Sequence, residues 1–451
     1  MIEQTVGTFE LENAIGIPAT GYVAQGTAAI TVGDGSMTIG TLQTCANCGA
    51  GFFGNIFYVA AYSTVLTQAQ ITAAQNAIEF RLRQQGIAIR PNPPQSPYYL
   101  IFDGDSITDN SGAWSILTTF QKYTMDILPI TGYWQQLGAP GACIATNTCT
   151  ISSTLTNLTA QAATKVDGLV KRLSQSSKTI LQIWAGTNDL NWGAGAANTN
   201  TALKTYVTAR KAAGWNKIIV GTLTARIAAD TTRTATNATI LTDWASGALA
   251  ADAVSMHGFD PNMGQSTQGS TTWYYDGVHP SAAGNSLVAT YEAPAIMMAL
   301  GGGKVWLRFT VSNNAATNWT LAANGNTAGP AAAIAAATSQ SVPLYFLGPK
   351  YQVCGVQLKA NTAFTATGLT TLTATVGDSV GGSTFYTSTT YDLMAAPGNT
   401  NFQAKIPALA AASTYAGSNV TLELTGANQN LNAQANLAGS VDVRLCIQAI
   451  P

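Results

Sequence analysis

Apolar residues change their spacing three times along this chain, and each change marks a different kind of structure. From Ile15 to Val59, short runs of Val, Ile, Thr, Phe and Tyr are broken by Gly-rich turns such as Gly33-Asp34-Gly35-Ser36 and Gly49-Ala50-Gly51, the pattern of short antiparallel strands. Thr67 then caps a stretch in which Ile71, Ala74, Ile78, Phe80 and Leu82 fall close to helical spacing, ending at Gly86. The segment Pro91-Asn92-Pro93-Pro94-Gln95-Ser96-Pro97 cannot continue a helix and favours an extended spacer, so it marks a boundary.

Beyond it, strand-like and helix-like stretches alternate: strands over 98–102, 179–184 and 217–223, and helices over 114–120, 159–173, 202–213, 240–249 and 281–300. Such alternation predicts a parallel sheet with helices on both faces. Gly301-Gly302-Gly303 closes this region. The runs at 305–311, 356–358, 371–376, 384–391 and 441–447 then return to β-like spacing between Asn-, Gly-, Ala- and Ser-rich turns. The expected organisation is a partial β-sandwich with a closing helix over 1–90, a Pro-rich linker over 91–97, an α/β domain over 98–300 and an all-β accessory domain over 304–451. A length of 451 residues agrees with about three domains.

Charge narrows the range of partners. With charged residues at 9% and a formal net charge of -1, no basic field is present to attract nucleic acid or an anionic membrane. No apolar run approaches the roughly 18 residues needed for a membrane-spanning helix. Residues 1–12 carry Glu3, Glu10 and Glu12 in place of a basic, apolar leader, so they do not read as a signal peptide. Six cysteines fall as Cys45 with Cys48, Cys143 with Cys149, and the distant Cys354 with Cys446. An even count in a chain of low charge suits an oxidising, extracellular setting. Cys45-Ala46-Asn47-Cys48 has no second pair or nearby histidine, which favours a small disulfide or loop pair over a metal or redox site.

The candidate chemistry begins at Ser106 in Phe102-Asp103-Gly104-Asp105-Ser106-Ile107-Thr108, where a strand is expected to turn into a helix. The carboxyl ends of parallel strands are where ligands bind, and a helix N-terminus offers free N–H groups to a developing negative charge. A serine nucleophile needs a base, and the chain holds only His257 and His279. His279 lies three residues after Asp276 in Tyr275-Asp276-Gly277-Val278-His279-Pro280, so one short loop can present a base together with the carboxylate that orients it. His257 has an acidic neighbour only at Asp260 and reads as a structural or surface histidine. Gln182-Ile183-Trp184-Ala185-Gly186-Thr187-Asn188-Asp189 delivers Asn188 to the same strand edge, where its amide can donate to an oxyanion; Asp189 reads as a helix cap. A second Gly-Asp-Ser, in Gly377-Asp378-Ser379-Val380-Gly381, lies between β-like runs and reads as a hairpin turn. Trp114, Trp192, Trp273, Tyr274 and Tyr275 either line a sugar or acyl pocket or pack in the core. Asn157-Leu158-Thr159 and Asn419-Val420-Thr421 match the glycosylation acceptor pattern.

Gly104-Asp105-Ser106-Ile107-Thr108, Gly186-Thr187-Asn188-Asp189 and Asp276-Gly277-Val278-His279-Pro280, in this order, resemble the motifs of the SGNH (GDSL-type) hydrolase family over about 98–300. The resemblance implies a flavodoxin-like, three-layer α/β fold and ester hydrolysis with Ser106, His279 and Asp276 as the triad. It also implies an oxyanion hole made by the Ser106 N–H and the Asn188 side chain. No metal or other cofactor is implied. The family's third oxyanion donor is a glycine N–H after the second strand. The matching stretch, Ile151-Ser152-Ser153-Thr154-Leu155, has Ser152 or Ser153 there, with Gly141 in Ala139-Pro140-Gly141-Ala142 as the rival. The first ninety residues resemble the closing half of a laminin-G or concanavalin-like jelly roll. Together these features lead to an extracellular serine esterase acting through an acyl-enzyme on an acylated polysaccharide or another small ester. The alternatives are a lipid or lysophospholipid esterase and a phage-tail or virion adhesion component, which would assemble as a homo-oligomer or on a particle or cell surface.

Overall fold

The computed structural model describes residues 2–5, 8–11, 24–25 and most of 97–450, the last without 110–117, 131, 146–156, 174–177, 227–229, 265–270, 315–318, 327, 336–338, 380–382, 388–390, 396–399, 404–416, 428–430, 432–433 and 435. Strands β1 (Ile2–Thr5), β2 (Thr8–Leu11) and β3 (Ala24–Gln25) form a small antiparallel sheet. The rest of the expected N-terminal sandwich, the helix capped by Thr67, and Cys45 and Cys48 lie outside the described residues.

The centre is a five-stranded parallel sheet built from β4 (Tyr98–Gly104), β5 (Tyr133–Gln136), β6 (Lys178–Trp184), β7 (Lys217–Gly221) and β8 (Ala253–Ser255). Its strand order is β5-β4-β6-β7-β8, the flavodoxin-like order in which the connections reverse direction at β4. Every residue of β4 is buried, as a strand covered on both faces must be. The helices are α1 (Phe120–Ile127), α2 (Leu158–Lys165), α3 (Asp167–Leu173), α4 (Thr187–Asn191), α5 (Gly195–Ala212), α6 (Asp230–Ser246) and α7 (Ala282–Ala299).

Several elements differ from the sequence expectation. The first helix is placed at Phe120, one residue after its N-cap Thr119, whereas 110–117, including Trp114, lie outside the described residues. The helix expected over 159–173 divides at Val166, and α6 starts ten residues before the expected 240. Strands β5 and β8 have no counterpart in the sequence reading.

The C-terminal region is all β. A six-stranded antiparallel sheet runs β11-β10-β9-β18-β14-β16, from β9 (Gly303–Asn313), β10 (Trp319–Ala323), β11 (Gly329–Pro330), β14 (Tyr351–Thr365), β16 (Thr400–Gln403) and β18 (Ala438–Ala449). A four-stranded sheet runs β12-β13-β17-β15, from β12 (Ile334–Ala335), β13 (Ser339–Leu347), β15 (Leu372–Gly377) and β17 (Ser418–Gly426). Along β9, Val305, Leu307, Phe309 and Val311 point inward and alternate with polar or exposed residues. Cys354 and Cys446 form a disulfide between the neighbouring strands β14 and β18. The chain after Gly377 turns back so that Val376 pairs antiparallel with Tyr386; Gly377-Asp378-Ser379 therefore begins a turn.

The α/β and all-β regions share one core. Helix α7 is buried from Ala283 to Ala299 on all sides and mostly apolar, because it lies between the parallel sheet and the C-terminal strands. Tyr291 stacks on Tyr345 at 4.4 Å and Phe259 on Phe346 at 4.8 Å. Hydrogen bonds join the two regions as well. Tyr351 donates to the Val254 carbonyl, Trp273 Nε1 to the Pro330 carbonyl, and Ser286 to the Ala323 carbonyl. No helix among the described residues is long and apolar enough to cross a membrane.

Candidate active site

Ser106 stands just past the carboxyl end of β4, in a helical turn closed by the Asp109 N–H donating to the Asp105 carbonyl at 3.0 Å. This turn is packed so tightly that a Cβ at Gly104 would lie 2.1 Å from the Trp184 carbonyl oxygen and 2.4 Å from Thr108 Oγ1, so only glycine fits. The Asp105 carboxylate accepts the Ile107 N–H at 3.0 Å and fixes the backbone on both sides of Ser106. Asp105 is itself buried, and its other oxygen, Oδ2, has no hydrogen-bond partner. Burial pushes its carboxyl up to about 7; the Ile107 N–H works against that rise and the nearby Asp189 charge works with it.

The loop before α7 supplies the remaining two members. Gly277, at φ 83°, lets the chain reverse so that Asp276 Oδ1 accepts the N–H groups of both Val278 (3.0 Å) and His279 (2.9 Å). Asp276 Oδ2 meets His279 Nδ1 at 2.7 Å, and His279 Nε2 meets Ser106 Oγ at 2.8 Å. Burial would raise the Asp276 carboxyl, but the bonds and charge of His279 and the Val278 N–H together hold it below its ordinary range. The base of the loop is pinned by the Tyr275 N–H to the His279 carbonyl and by the Tyr274–Pro280 bridge, and Ser281 caps α7 immediately afterwards. The structure thus brings Ser106, His279 and Asp276 into one hydrogen-bonded chain across 173 residues of sequence.

The facing wall is the head of α4. Gly186, at φ 121°, is its N-cap and turns the chain out of β6. Asn188 Nδ2 donates to the Ala142 carbonyl at 3.0 Å, and the buried Asp189 carboxylate accepts the Ile144 N–H at 3.1 and 3.2 Å. Asp189, expected as a cap, therefore clamps the loop after β5. That loop contains Ala139-Pro140-Gly141-Ala142, closed by the Ala142 N–H donating to the Ala139 carbonyl at 3.0 Å, with Gly141 at φ 73°. Proline followed by a residue of positive φ is the type II turn pattern. Among the described residues neither the Ser106 N–H nor the Gly141 N–H has an acceptor. Ser152 and Ser153 lie outside the described residues. Cys143, next to this turn, is disulfide-bonded.

His257 is fully buried and takes no part in this chain of contacts. Its Nδ1 lies 3.0 Å from Ser255 Oγ and 3.5 Å from Glu292 Oε1, and its ring packs on Trp184 at 4.1 Å. Trp273 and Tyr274 are core residues, with their polar atoms bonded to the Pro330 and Met263 carbonyls. Trp192, one residue beyond α4, and Tyr275, beside Asp276, are 48% and 45% exposed. Asn157 caps α2 and is buried.

A flavodoxin-ordered sheet carrying a serine, a histidine and a carboxylate at its carboxyl edge defines the class of ester hydrolases to which this domain belongs. Residues 102–287 match the profile of the GDSL-like Lipase/Acylhydrolase family. No curated protein matches the chain. Among solved structures, a lipolytic protein of the G-D-S-L family from Veillonella parvula is similar over 43% of this chain and 95% of its own, at 14% identity and a TM-score of 0.33. An acetyl xylan esterase from Geobacillus stearothermophilus is similar over 45% and 94%, at 18% identity and a TM-score of 0.32. A carbohydrate esterase family 3 protein from Talaromyces cellulolyticus is similar over 44% and 96%, at 18% identity and a TM-score of 0.31.

Proposed function

We propose that this ester hydrolase works through an acyl-enzyme on Ser106 and removes O-acetyl or other short O-acyl groups from a polysaccharide outside the cell. The observation that carries the chemistry is the unbroken series Ser106 Oγ, His279 Nε2, His279 Nδ1 and Asp276 Oδ2, with steps of 2.8 and 2.7 Å. In this reading His279 takes the Ser106 proton as Oγ attacks the ester carbonyl, and Asp276 stabilises the imidazolium that forms. The tetrahedral oxyanion is held by the N–H groups of Ser106 and Gly141 and by the Asn188 amide, whose second N–H remains free to donate while the first holds Ala142. We assign the third donor to Gly141 and not to Ser152, because its N–H is uncommitted and its turn is tied to Asn188 through Ala142. His279 then returns the proton to the departing sugar hydroxyl. A water activated by His279 cleaves the acyl-enzyme in the same manner.

The choice of a polysaccharide rests on the surroundings of the triad. Asp276 and His279 keep 43% and 19% of their side chains exposed, and Trp192 and Tyr275 stand open on the elements that carry Asn188 and Asp276. Exposed aromatic faces beside a shallow, open site suit the flat faces of sugar rings. The test compares purified protein and Ser106→Ala on aryl acetate, aryl decanoate and acetylated polysaccharides. Acetate release from a polysaccharide, abolished in Ser106→Ala, is expected. Hydrolysis confined to the decanoate would favour a lipid esterase, and wild-type rates in Ser106→Ala would overturn the mechanism.

A further inference from the structure

The outer face of the six-stranded C-terminal sheet carries a cluster of exposed aromatic and cationic side chains. Register places Trp306 of β9 opposite Cys446 of β18, which in turn lies opposite Gly355 of β14. A Cβ at Gly355 would lie 2.9 Å from the tip of the Trp306 ring, so the indole reaches across β18 to the third strand. Two strand spacings come to about 10 Å, and a ring that covers this distance must lie along the sheet instead of standing up from it. One face of the indole therefore covers the Cys354–Cys446 disulfide, and the residue keeps 46% of its surface exposed.

The next rows are cationic. Arg308 lies directly opposite Arg444, which lies opposite Gln357; on the same face Lys359 lies one row beyond them, and Lys304 lies one row beyond Trp306 on the other side. Like charges facing each other across a strand pair destabilise a sheet unless a counter-charge is present. Among the described residues this face holds one carboxylate, Asp442, and its oxygens are already occupied by Arg308 Nε (2.7 Å), Thr310 Oγ1 (2.7 Å) and Asn361 Nδ2 (2.5 Å). No carboxylate among the described residues pairs with the exposed Arg444. Four of the chain's 20 lysines and arginines thus share one face with a single acid, in a protein whose net charge is -1. Trp306, Leu307, Arg308, Gln357 and Arg444 line a shallow groove of about 430 Å³ there.

We propose that this groove binds a carboxylated polysaccharide, a chain containing uronate sugars. The exposed face of Trp306 stacks a sugar ring, Arg444 pairs with the sugar carboxylate as Arg308 pairs with Asp442, and Gln357 bonds to hydroxyls. The site goes beyond the esterase reading and does not depend on it.

Binding is read on full-length Ser106→Ala protein, so that turnover plays no part, by affinity electrophoresis and calorimetry with polygalacturonate, dextran sulfate and dextran. The expected result is retention by polygalacturonate that weakens with added salt, with none by dextran. Trp306→Ala and the exposed-site variant Arg444→Gln should each bind at least about tenfold more weakly at an unchanged melting midpoint. Absence of retention by polygalacturonate, equal retention by dextran, or undiminished binding by Arg444→Gln would each overturn the proposal. Retention by dextran sulfate alone, or by both polyanions with Trp306→Ala unaffected, would mean unspecific attraction of polyanions and would overturn it too.

Discussion

Asp105, immediately before Ser106, ties the stability of the site to pH, and Asp105→Asn isolates its share. In the folded protein burial raises this carboxyl to about 7, whereas in the unfolded chain it titrates at its ordinary value of 3.8. Between these values the folded protein keeps a proton that the unfolded chain has released, so raising the pH favours unfolding. The contribution is fully present below about pH 4 and is lost as pH passes through 7. Of the roughly three pH units involved, about two lie between pH 5 and pH 7, which corresponds to roughly 3 kcal/mol. For a chain of this size that is about 3 °C in melting midpoint. Asparagine keeps the acceptor for the Ile107 N–H but places an amide where Oδ2 now lies without a partner, so the variant should lose about 1–3 kcal/mol at pH 5. The informative quantity is therefore the slope. Calorimetric melting of wild type and variant at pH 5, 6, 7 and 8 should show a smaller fall in the variant, by about 3 °C across the range. An identical slope would refute the assignment of a buried, neutral Asp105. Part of the slope should persist in both proteins, because burial also raises Asp103 and Asp260 to about 6.

Asp276→Asn should preserve the loop, since its oxygen still accepts the Val278 and His279 N–H groups, but its amide faces His279 Nδ1 and favours the wrong tautomer. A loss of about a thousand- to ten-thousandfold in kcat on aryl acetate is expected, and a loss below tenfold would contradict the orienting role. Asn188→Ala should lower kcat about 100- to 1000-fold with KM little changed, and the reverse pattern would make Asn188 a ground-state binder. Truncation after residue 302 removes the strands that cover α7. The product should be insoluble, or expanded and dye-binding by fluorescence, and a cooperative melting transition at the full-length midpoint would show that the shared core is dispensable.

The parallel sheet was legible where strands are apolar throughout, as in β4, β6 and β7, because burial on both faces leaves a continuous hydrophobic run. Strand β5, Tyr-Trp-Gln-Gln, is only partly buried, and β8 is three residues long; neither carries a periodic signal. The start of α6, Asp230-Thr231-Thr232-Arg233-Thr234, is rich in threonine and polar residues, so its apolar spacing emerges only near Ile240. At the site, Ser106, Asn188, Asp276 and His279 could be singled out because each sits in a short motif at a strand end. Gly141 was harder to recognise, since a Pro-Gly pair reads first as an ordinary turn. What distinguishes it is the grip of Asn188 and Asp189 on the following residues, a contact between segments 46 positions apart. The triple glycine at 301–303 closes the α/β region in the sequence, yet the chain passes through it from α7 into β9 with the core continuous on both sides.

The burial of α7 also bears on how such a chain can change over evolutionary time. The helix begins three residues after His279, so the strands that grip it help to set where that imidazole stands. An accessory domain joined by a linker can be lost or exchanged by recombination without harm to the enzyme. Here the β region forms one wall of the enzyme's own core, and any replacement would have to match the apolar surface of α7 side chain for side chain. The two regions are therefore bound to diverge together, with compensating changes concentrated at Tyr291, Tyr345, Phe259 and Phe346.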